Sequence, residues 1–153
     1  MSSPDLAALQ AAAEAEGLRV AVGALVVDGE GRAFVHRRGP DRELFPGLWD
    51  IVGGHVEPGE SMLEALAREV EEETGWRLVG TPVLAHVADW DGRREFDFLV
   101  DVEGDLSRPR LEVPEHVEFR WLGPDDLSLL DENRDVDGGA IRRLVELALT
   151  STR

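Results

Sequence analysis

Between positions 69 and 73 the chain carries four glutamates, Glu69, Glu71, Glu72 and Glu73. On an α-helix, Glu69, Glu72 and Glu73 stand at i, i+3 and i+4, so their carboxylates share one face while Glu71 points elsewhere. Such a set is unfavourable twice over. Like charges at this spacing cost a few tenths of a kcal/mol each, roughly, and they lie near a helix C-terminus, where the macrodipole disfavours anions. One reading is an ordinary solvated face, because Glu is a good helix former. The other is a face compensated by a hard divalent cation with oxygen ligands. The preceding sequence favours the cation: Gly53-Gly54-His55-Val56-Glu57-Pro58-Gly59-Glu60 is a tight loop, with glycines where backbone must approach a neighbour closely or take positive φ.

Taken together, Gly54, Glu60 and the run Arg68-Glu69-Val70-Glu71-Glu72-Glu73-Thr74-Gly75-Trp76 resemble the Nudix box, G-x5-E-x7-R-E-U-x-E-E-x-G-U with U a bulky aliphatic residue. Every fixed position is matched, and the departure is Trp76, aromatic where the family has an aliphatic side chain. The resemblance implies an α/β (α+β) sandwich, α/β/α, with a mixed central sheet and a loop-helix-loop catalytic box. It also implies hydrolysis of a diphosphate linkage in a nucleoside diphosphate derivative, with a (d)NTP or modified NTP giving NMP and pyrophosphate as the leading case. Hydrolysis of ADP-ribose or another sugar or dinucleotide diphosphate is the alternative, and a non-catalytic nucleotide-sensing module is a second. Such modules lose box glutamates, and here the set is intact.

By the same resemblance Glu69, Glu72 and Glu73 are ligands of Mg2+ or Mn2+, with the Gly54 carbonyl as a further ligand. Arg68 and Glu60 form the pair that orients loop and helix. A bound cation would lower the pKa of a coordinated water and neutralise charge on the leaving phosphate, which carboxylates alone cannot do. Family members draw their general base from a box glutamate or from a later loop. Here Glu115 in Leu111-Glu112-Val113-Pro114-Glu115-His116 is taken ahead of Glu112 as base or added ligand, with Glu69 the alternative base. Arg37 and Arg38 end a strand where the family places a phosphate-contacting arginine; alternation sends one to each face, and Arg38 is preferred for the substrate. Asn133 resembles the position at which MutT-type members set an asparagine against a purine, an amide being able to bond a base edge; a loop or helix-cap role competes. His55 and His116 are within the sequence neighbourhood of the phosphates. Phe34, Phe45, Trp49 and Trp90 are available for an aromatic slot, most of them as core. The run Leu48-Trp49-Asp50-Ile51 also resembles the isoprenoid-isomerase branch of the fold, which needs a cysteine this chain lacks.

The elements that must position these groups are legible from pattern. Ser3-Pro4-Asp5 caps a short helix that Gly17 stops, and Arg19 to Val27 with Ala33 to Arg37 reads as a strand pair in a central sheet. Ser61, with Glu64 at the capping-box position, opens a helix that ends at Gly75, seated by Met62, Leu63, Leu66 and Val70. Val83 to Trp90 and Glu95 to Val102 read as strands about the Asp91-Gly92 turn, Glu103 to Pro114 as loop, Val117 to Leu122 as strand. Gly139 to Thr150 reads as an amphipathic helix burying Ile141, Leu144, Val145 and Ala148. The 153 residues suit one Nudix domain over 1–153, with a core from about 19 to 149 and an N-terminal helix over 4–16. With 16 basic against 32 acidic residues the net charge is −16, which argues against gripping a nucleic-acid polymer, since that binding draws on Lys and Arg. There is no cysteine, no signal-peptide pattern and no apolar run long enough to cross a membrane. The expectation is a cytoplasmic protein, monomer or homodimer, acting on a small molecule.

Overall fold

A computed structural model describes residues 4–151. In chain order the elements are α1 (Leu6–Ala15), β1 (Arg19–Val26), β2 (Ala33–Arg38), β3 (Trp49–Asp50), β4 (Val52–His55), α2 (Met62–Thr74), β5 (Arg77–Trp90), β6 (Arg93–Glu103) and β7 (His116–Leu122). A 3-10 segment (Leu127–Asn133), the short α3 (Arg134–Asp137) and α4 (Ala140–Thr150) complete the chain. The strands form a mixed four-stranded sheet ordered β4-β1-β6-β5, in which β1 and β6 are parallel, and a three-stranded antiparallel sheet ordered β3-β2-β7.

Strand alternation sorts the core into two layers. From β1, Val20, Val22, Ala24 and Val26 face α1 and α2, joined by Phe96, Phe98 and Val100 of β6 and by Ala13, Ala65, Leu66 and Val70 of the helices. Leu25 and Leu99 face the other way, toward Leu130, Ile141, Leu144, Val145 and Ala148 around α4. Because β1 is buried on both faces, it occupies the interior of the larger sheet and takes a partner along each edge. That corrects the expected strand pair: β2 lies in the smaller sheet and meets the end of β1 only through the bridge Val27–Ala33. Strand β5 begins at Arg77, earlier than expected, because Gly80-Thr81-Pro82 is absorbed as a register shift between Val79 and Val83.

The helix bearing the glutamates is terminated as expected. Ser61 Oγ accepts from Glu64 N–H at 3.1 Å while Glu64 Oε1 accepts from Ser61 N–H at 3.0 Å, a complete capping box. At the other end Gly75 takes φ 77°, in the left-handed region that ends the helix. Leu63 is exposed and Ala65 takes its place on the buried stripe. Trp76 lies in the core, its ring 5.0 Å from Phe34 and its indole N–H donating to Asp105 O at 2.9 Å. The aromatic departure from the box therefore acts in packing. Helix α1, capped by Asp5, buries Ala13 on the sheet and ties to the box loop through Gln10 Nε2–H donating to Glu60 O at 2.9 Å. Ser3 lies outside the described residues.

Ser61→Ala removes the capping hydrogen bond to Glu64 N–H and is expected to lower stability by about 1 kcal/mol. Thermal unfolding should register it as a drop of roughly 2–4 °C; an unchanged midpoint would mean that tertiary packing alone fixes the start of α2.

Candidate active site

Arg68 is the hub of the box. Its Nε–H and Nη2–H donate to the two oxygens of Glu60 at 2.8 and 2.9 Å, Nη1–H to Glu69 Oε1 at 2.7 Å and to Glu72 Oε2 at 3.3 Å, and Nη2–H to His55 O at 3.1 Å. Arg68 thus ties the loop after β4 to the middle of α2, which the fixed fork of a guanidinium suits and an ammonium does not. The Arg68 hydrogen bond holds the Glu60 carboxyl down to about 2, and the Glu57 N–H adds to it.

Glu73 faces inward and is only 3% exposed. Its Oε2 accepts from Gly53 N–H at 3.0 Å, which fixes α2 against β4. Its Oε1 lies 3.4 Å from His36 Nε2 and 3.7 Å from His116 Nε2, and the two imidazoles stack at 3.6 Å. Burial, then a hydrogen bond and charge from Glu69, push the Glu73 carboxyl upward, while burial pushes both imidazoles down. Glu69 lies against the paired glycines: a Cβ on Gly54 would sit 2.5 Å from Glu69 Oε1, and one on Gly53 would sit 2.3 Å from Val22 O. These glycines are needed for close approach rather than for positive φ.

The loop before β7 brings Glu112 into the field of the box glutamates, with Glu115 near it. Burial raises the Glu112 carboxyl, and the charges of Glu115, Glu69 and Glu72 raise it further. Glu115 holds the loop through its backbone, whose carbonyl accepts from Gly39 N–H at 2.8 Å. Gly39 is obligatory here, because a Cβ would fall 2.0 Å from Pro114 O. Glu57, Glu60, Glu69 and Glu72 thus surround one arginine, with Glu112 beside them. This excess of hard oxygen donors, packed where Gly54 leaves no side chain, suits a divalent cation.

On the far side of Gly53 and Gly54 the sheet and α4 enclose a cavity of about 660 Å3. Arg38 lines it, with Nε–H donating to Leu44 O at 3.0 Å and Nη1 at 3.6 Å from Asp50; Arg42 stands beside it. Arg37 points away, bonded to Gly47 O and paired with Glu118 and Glu132, so its expected substrate role gives way to a surface one. His55 reaches the cavity, yet its Nε2 accepts from Arg93 Nε–H at 2.8 Å, and burial together with Arg19 and Arg93 lowers its pKa; it is a neutral acceptor that positions Arg93. Asn133 also departs from expectation. Its Oδ1 accepts from Trp49 N–H at 2.9 Å and its Nδ2–H donates to Trp49 O at 2.7 Å, at 2% exposure, so the amide pins the 3-10 segment to β3 and has no edge free for a base. Phe34 and Trp49 are core, whereas Phe45 and Trp90 line the cavity 5.9 Å apart.

A family model described as the NUDIX domain matches residues 17–144. The chain belongs to the Nudix family. The nucleoside triphosphatase NudI of Escherichia coli (strain K12) is 33% identical, over 71% of this chain and 84% of that protein. Among solved structures, the MutT protein from Methanosarcina mazei Go1 is 28% identical with a TM-score of 0.63, covering 84% of this chain and 91% of the other. The MutT NUDIX hydrolase from Burkholderia pseudomallei is 30% identical with a TM-score of 0.58, covering 71% and 84%. The protein is accordingly a Nudix hydrolase of phosphorus anhydrides, in a family that generally uses divalent metals. Among the described residues no helix is long and apolar enough to cross a membrane.

Sequence reasoning missed the cavity floor. Asp50, Glu95 and Asp97 line it, and His86 lies 3.3 Å from Asp97. The signal was present: Glu95 and Asp97 alternate with Phe96 and Phe98, so one face of β6 is apolar and the other acidic. His36 was equally legible, sharing the inward face of β2 with Phe34. Burial and Asp97 push the Glu95 carboxyl up to about 9, burial lifts Asp97 to about 6, and burial with the charge of Glu95 lifts Asp50 to about 7.

Two outcomes follow from these placements. Asn133→Ala strands the Trp49 N–H and C=O and should cost about 2–4 kcal/mol, read by denaturant unfolding, while relative rates on different nucleotides stay the same; an altered base preference in a fully stable variant would return Asn133 to the substrate. Glu95 ionises near 4.5 when unfolded and near 9 when folded, so between those values the folded chain binds the extra proton and stability falls as pH rises. Asp97 and Asp50, raised by the same burial, lie in the field of that group and share its dependence. Glu95→Gln should therefore lose less thermal midpoint than the wild type between pH 6 and pH 9, and parallel curves would contradict the buried-acid assignment.

Proposed function

We propose that this single Nudix unit hydrolyses a nucleoside triphosphate to the monophosphate and pyrophosphate, with Mg2+, or Mn2+ in its place. The observation that carries the reading is the wall formed by Gly53 and Gly54. Box carboxylates lie against it on one side, and a cavity sized for a nucleoside opens on the other. The nucleoside triphosphatase relatives support the choice of a triphosphate over ADP-ribose.

In this reading Glu69, Glu72 and Glu73, the Gly54 carbonyl and Glu115 hold the metal. When bound, it supplies a water of lowered pKa and neutralises charge on the departing pyrophosphate. Arg38 meets the phosphates at the cavity mouth. Arg68 keeps Glu69 and Glu72 in place, and Glu60 keeps Arg68 in place. Glu115 takes the proton of the attacking water; Glu112 is the competing base, supported by its response to the charges of Glu69 and Glu72, and Glu69 is the third candidate. The substrate is a small molecule, so neither a nucleic-acid polymer nor a membrane is needed, and the enzyme works in the cytoplasm as a monomer or homodimer.

The test is hydrolysis of a panel of nucleoside triphosphates, ADP-ribose and dinucleoside polyphosphates with Mg2+, with the phosphate-bearing products of each identified; a triphosphate should give the monophosphate and pyrophosphate. Turnover of the triphosphates is expected. Glu72→Gln should reduce kcat by at least about 100-fold, since even outer-shell changes at metal sites cost 10–100-fold. Its thermal midpoint should hold, because Glu72 is exposed and its contact with Arg68 is a surface pair. Near-normal kcat in that variant would remove Glu72 from the site. Stabilisation by nucleotides without any turnover would instead favour a sensing module.

A further inference from the structure

Strand β7 breaks its own alternation to bury a histidine. Phe119 and Trp121 pack on Phe34 from the inward face of β7, and Glu118 turns outward to Arg37. Strict alternation would continue with Val117 inward and His116 outward. The opposite is found, with Val117 43% exposed and His116 4% exposed. The cause is the register shift between Arg37 and Arg38, which pair with Glu118 and His116 and so leave Val117 as the extra residue. Bulges of this kind re-aim a side chain. Here a valine is left in water while an imidazole enters the core, an exchange that hydrophobic burial alone disfavours.

That imidazole is set on a second one. His116 and His36 lie 6° from parallel with ring centroids 3.6 Å apart, and His36 is fully buried. Two imidazolium ions would repel each other in such a stack, so both rings are neutral and each carries one N–H. The surroundings say where. Nδ1 of neither ring has a hydrogen-bond partner, and Glu112 Oε1, 3.9 Å from His116 Nδ1, is beyond reach. Both Nε2 atoms face oxygen: Glu73 Oε1 lies 3.4 Å from that of His36 and 3.7 Å from that of His116, and Ile51 O lies 3.3 Å from that of His36. A buried N–H without a partner is rarer than an unmet acceptor, so the proton belongs on Nε2 in both rings.

The Glu73 carboxylate thus sits among three N–H groups, that of Gly53 on Oε2 and those of the two imidazoles on the side of Oε1. His116 also closes the loop before β7, its backbone N–H donating to Glu112 O at 2.8 Å. One residue therefore joins the loop that carries Glu112 and Glu115 to the innermost glutamate of the box. Resting on the reading above, in which Glu73 holds the metal, we propose that His36 and His116 are positioning residues: their Nε2–H groups fix the orientation of Glu73 for the cation, and His116 keeps the loop before β7 in register with it. Neither imidazole touches the metal or the substrate. Ligating carboxylates are themselves held by outer hydrogen bonds, and loss of such a partner costs about 10–100-fold in metal affinity or activity.

Mn2+ binding without nucleotide, followed by loss of the electron paramagnetic resonance signal of the free ion, separates this role from packing. His116→Phe keeps a ring on His36 and removes the N–H; His116→Gln keeps an N–H near the Nε2 position and removes the ring. The Phe variant should bind Mn2+ about 10–100-fold more weakly, with kcat returning toward the wild-type value as Mg2+ is raised, and the Gln variant should restore most of the affinity. A Phe variant that binds like the wild type, or a Gln variant as poor as the Phe one, would reduce the pair to packing. Nitrogen NMR of the wild-type protein needs no variant: both imidazoles should be the Nε2–H tautomer, and a proton on either Nδ1 would overturn the proposal. If Glu72→Gln weakens Mn2+ binding and His116→Phe does not, the positioning role alone falls. If the wild type binds no Mn2+, the metal reading falls and the positioning role falls with it.

Discussion

The site depends on one constraint: carboxylates that repel each other are held at close quarters at the C-terminal end of α2. Two devices hold them. Arg68 pairs with Glu60, Glu69 and Glu72 through a single guanidinium, offsetting one of their three charges, and Glu73 is withdrawn into the core, where Gly53 N–H and the two stacked imidazoles meet it. Neither removes the strain of crowding. Burial and Glu69 push the Glu73 carboxyl upward, the mark of a group that would gain from a further positive charge. The box is therefore rigid in position and incomplete in charge, which is the condition a metal site requires before the metal binds.

The rest of the fold transmits that rigidity. Gly53 donates to Glu73 on one side and pairs with Gly23 on the other, so the α2 carboxylates and the cavity floor are separated by one strand. Gly23 in turn makes room for Asp97. A displacement of β4 would move the box and the floor together, without any long-range mechanism. The N-terminal helix and the Gly39–Glu115 contact brace the two loops at either end of this assembly, α1 through Glu60 O and Gly39 through Glu115 O.

Much of this was legible in the sequence because it is local. The capping box Ser61-Glu64 and the Gly75 stop follow from spacings within one helix, and the structure reproduces them, whereas of the three glutamates expected on one face Glu72 is exposed and Glu73 turns into the core. What was hidden is relational. Nothing in the run Arg19 to Val27 says that its edges go to β4 and β6 rather than to β2; burial on both faces decides it, and burial is a property of the assembled sheet. Asn133 was read from a positional resemblance, and only the distance to Trp49 N and O reveals where its amide is used. Glu95 and Asp97 are the instructive case: their alternation with two phenylalanines was available, but acidic residues on a strand face read as solvated until α4 is seen to cover them.

The net charge of −16 takes on a different meaning once its distribution is known. An acidic protein repels a polyphosphate at long range, but a screening length of about 8 Å at physiological salt confines that repulsion to the near surface. Within that distance the balance is local. Of the chain's 16 basic residues, Arg38, Arg42, Arg93 and Arg143 line one cavity, and Arg68 lies across the glycine wall from it. The acid in the same region is partly silenced, since Glu95 holds its proton at neutral pH and Glu60 is paired with Arg68. The cavity wall thus presents guanidinium groups, and the unmet negative charge is gathered at the box, where a cation would balance it.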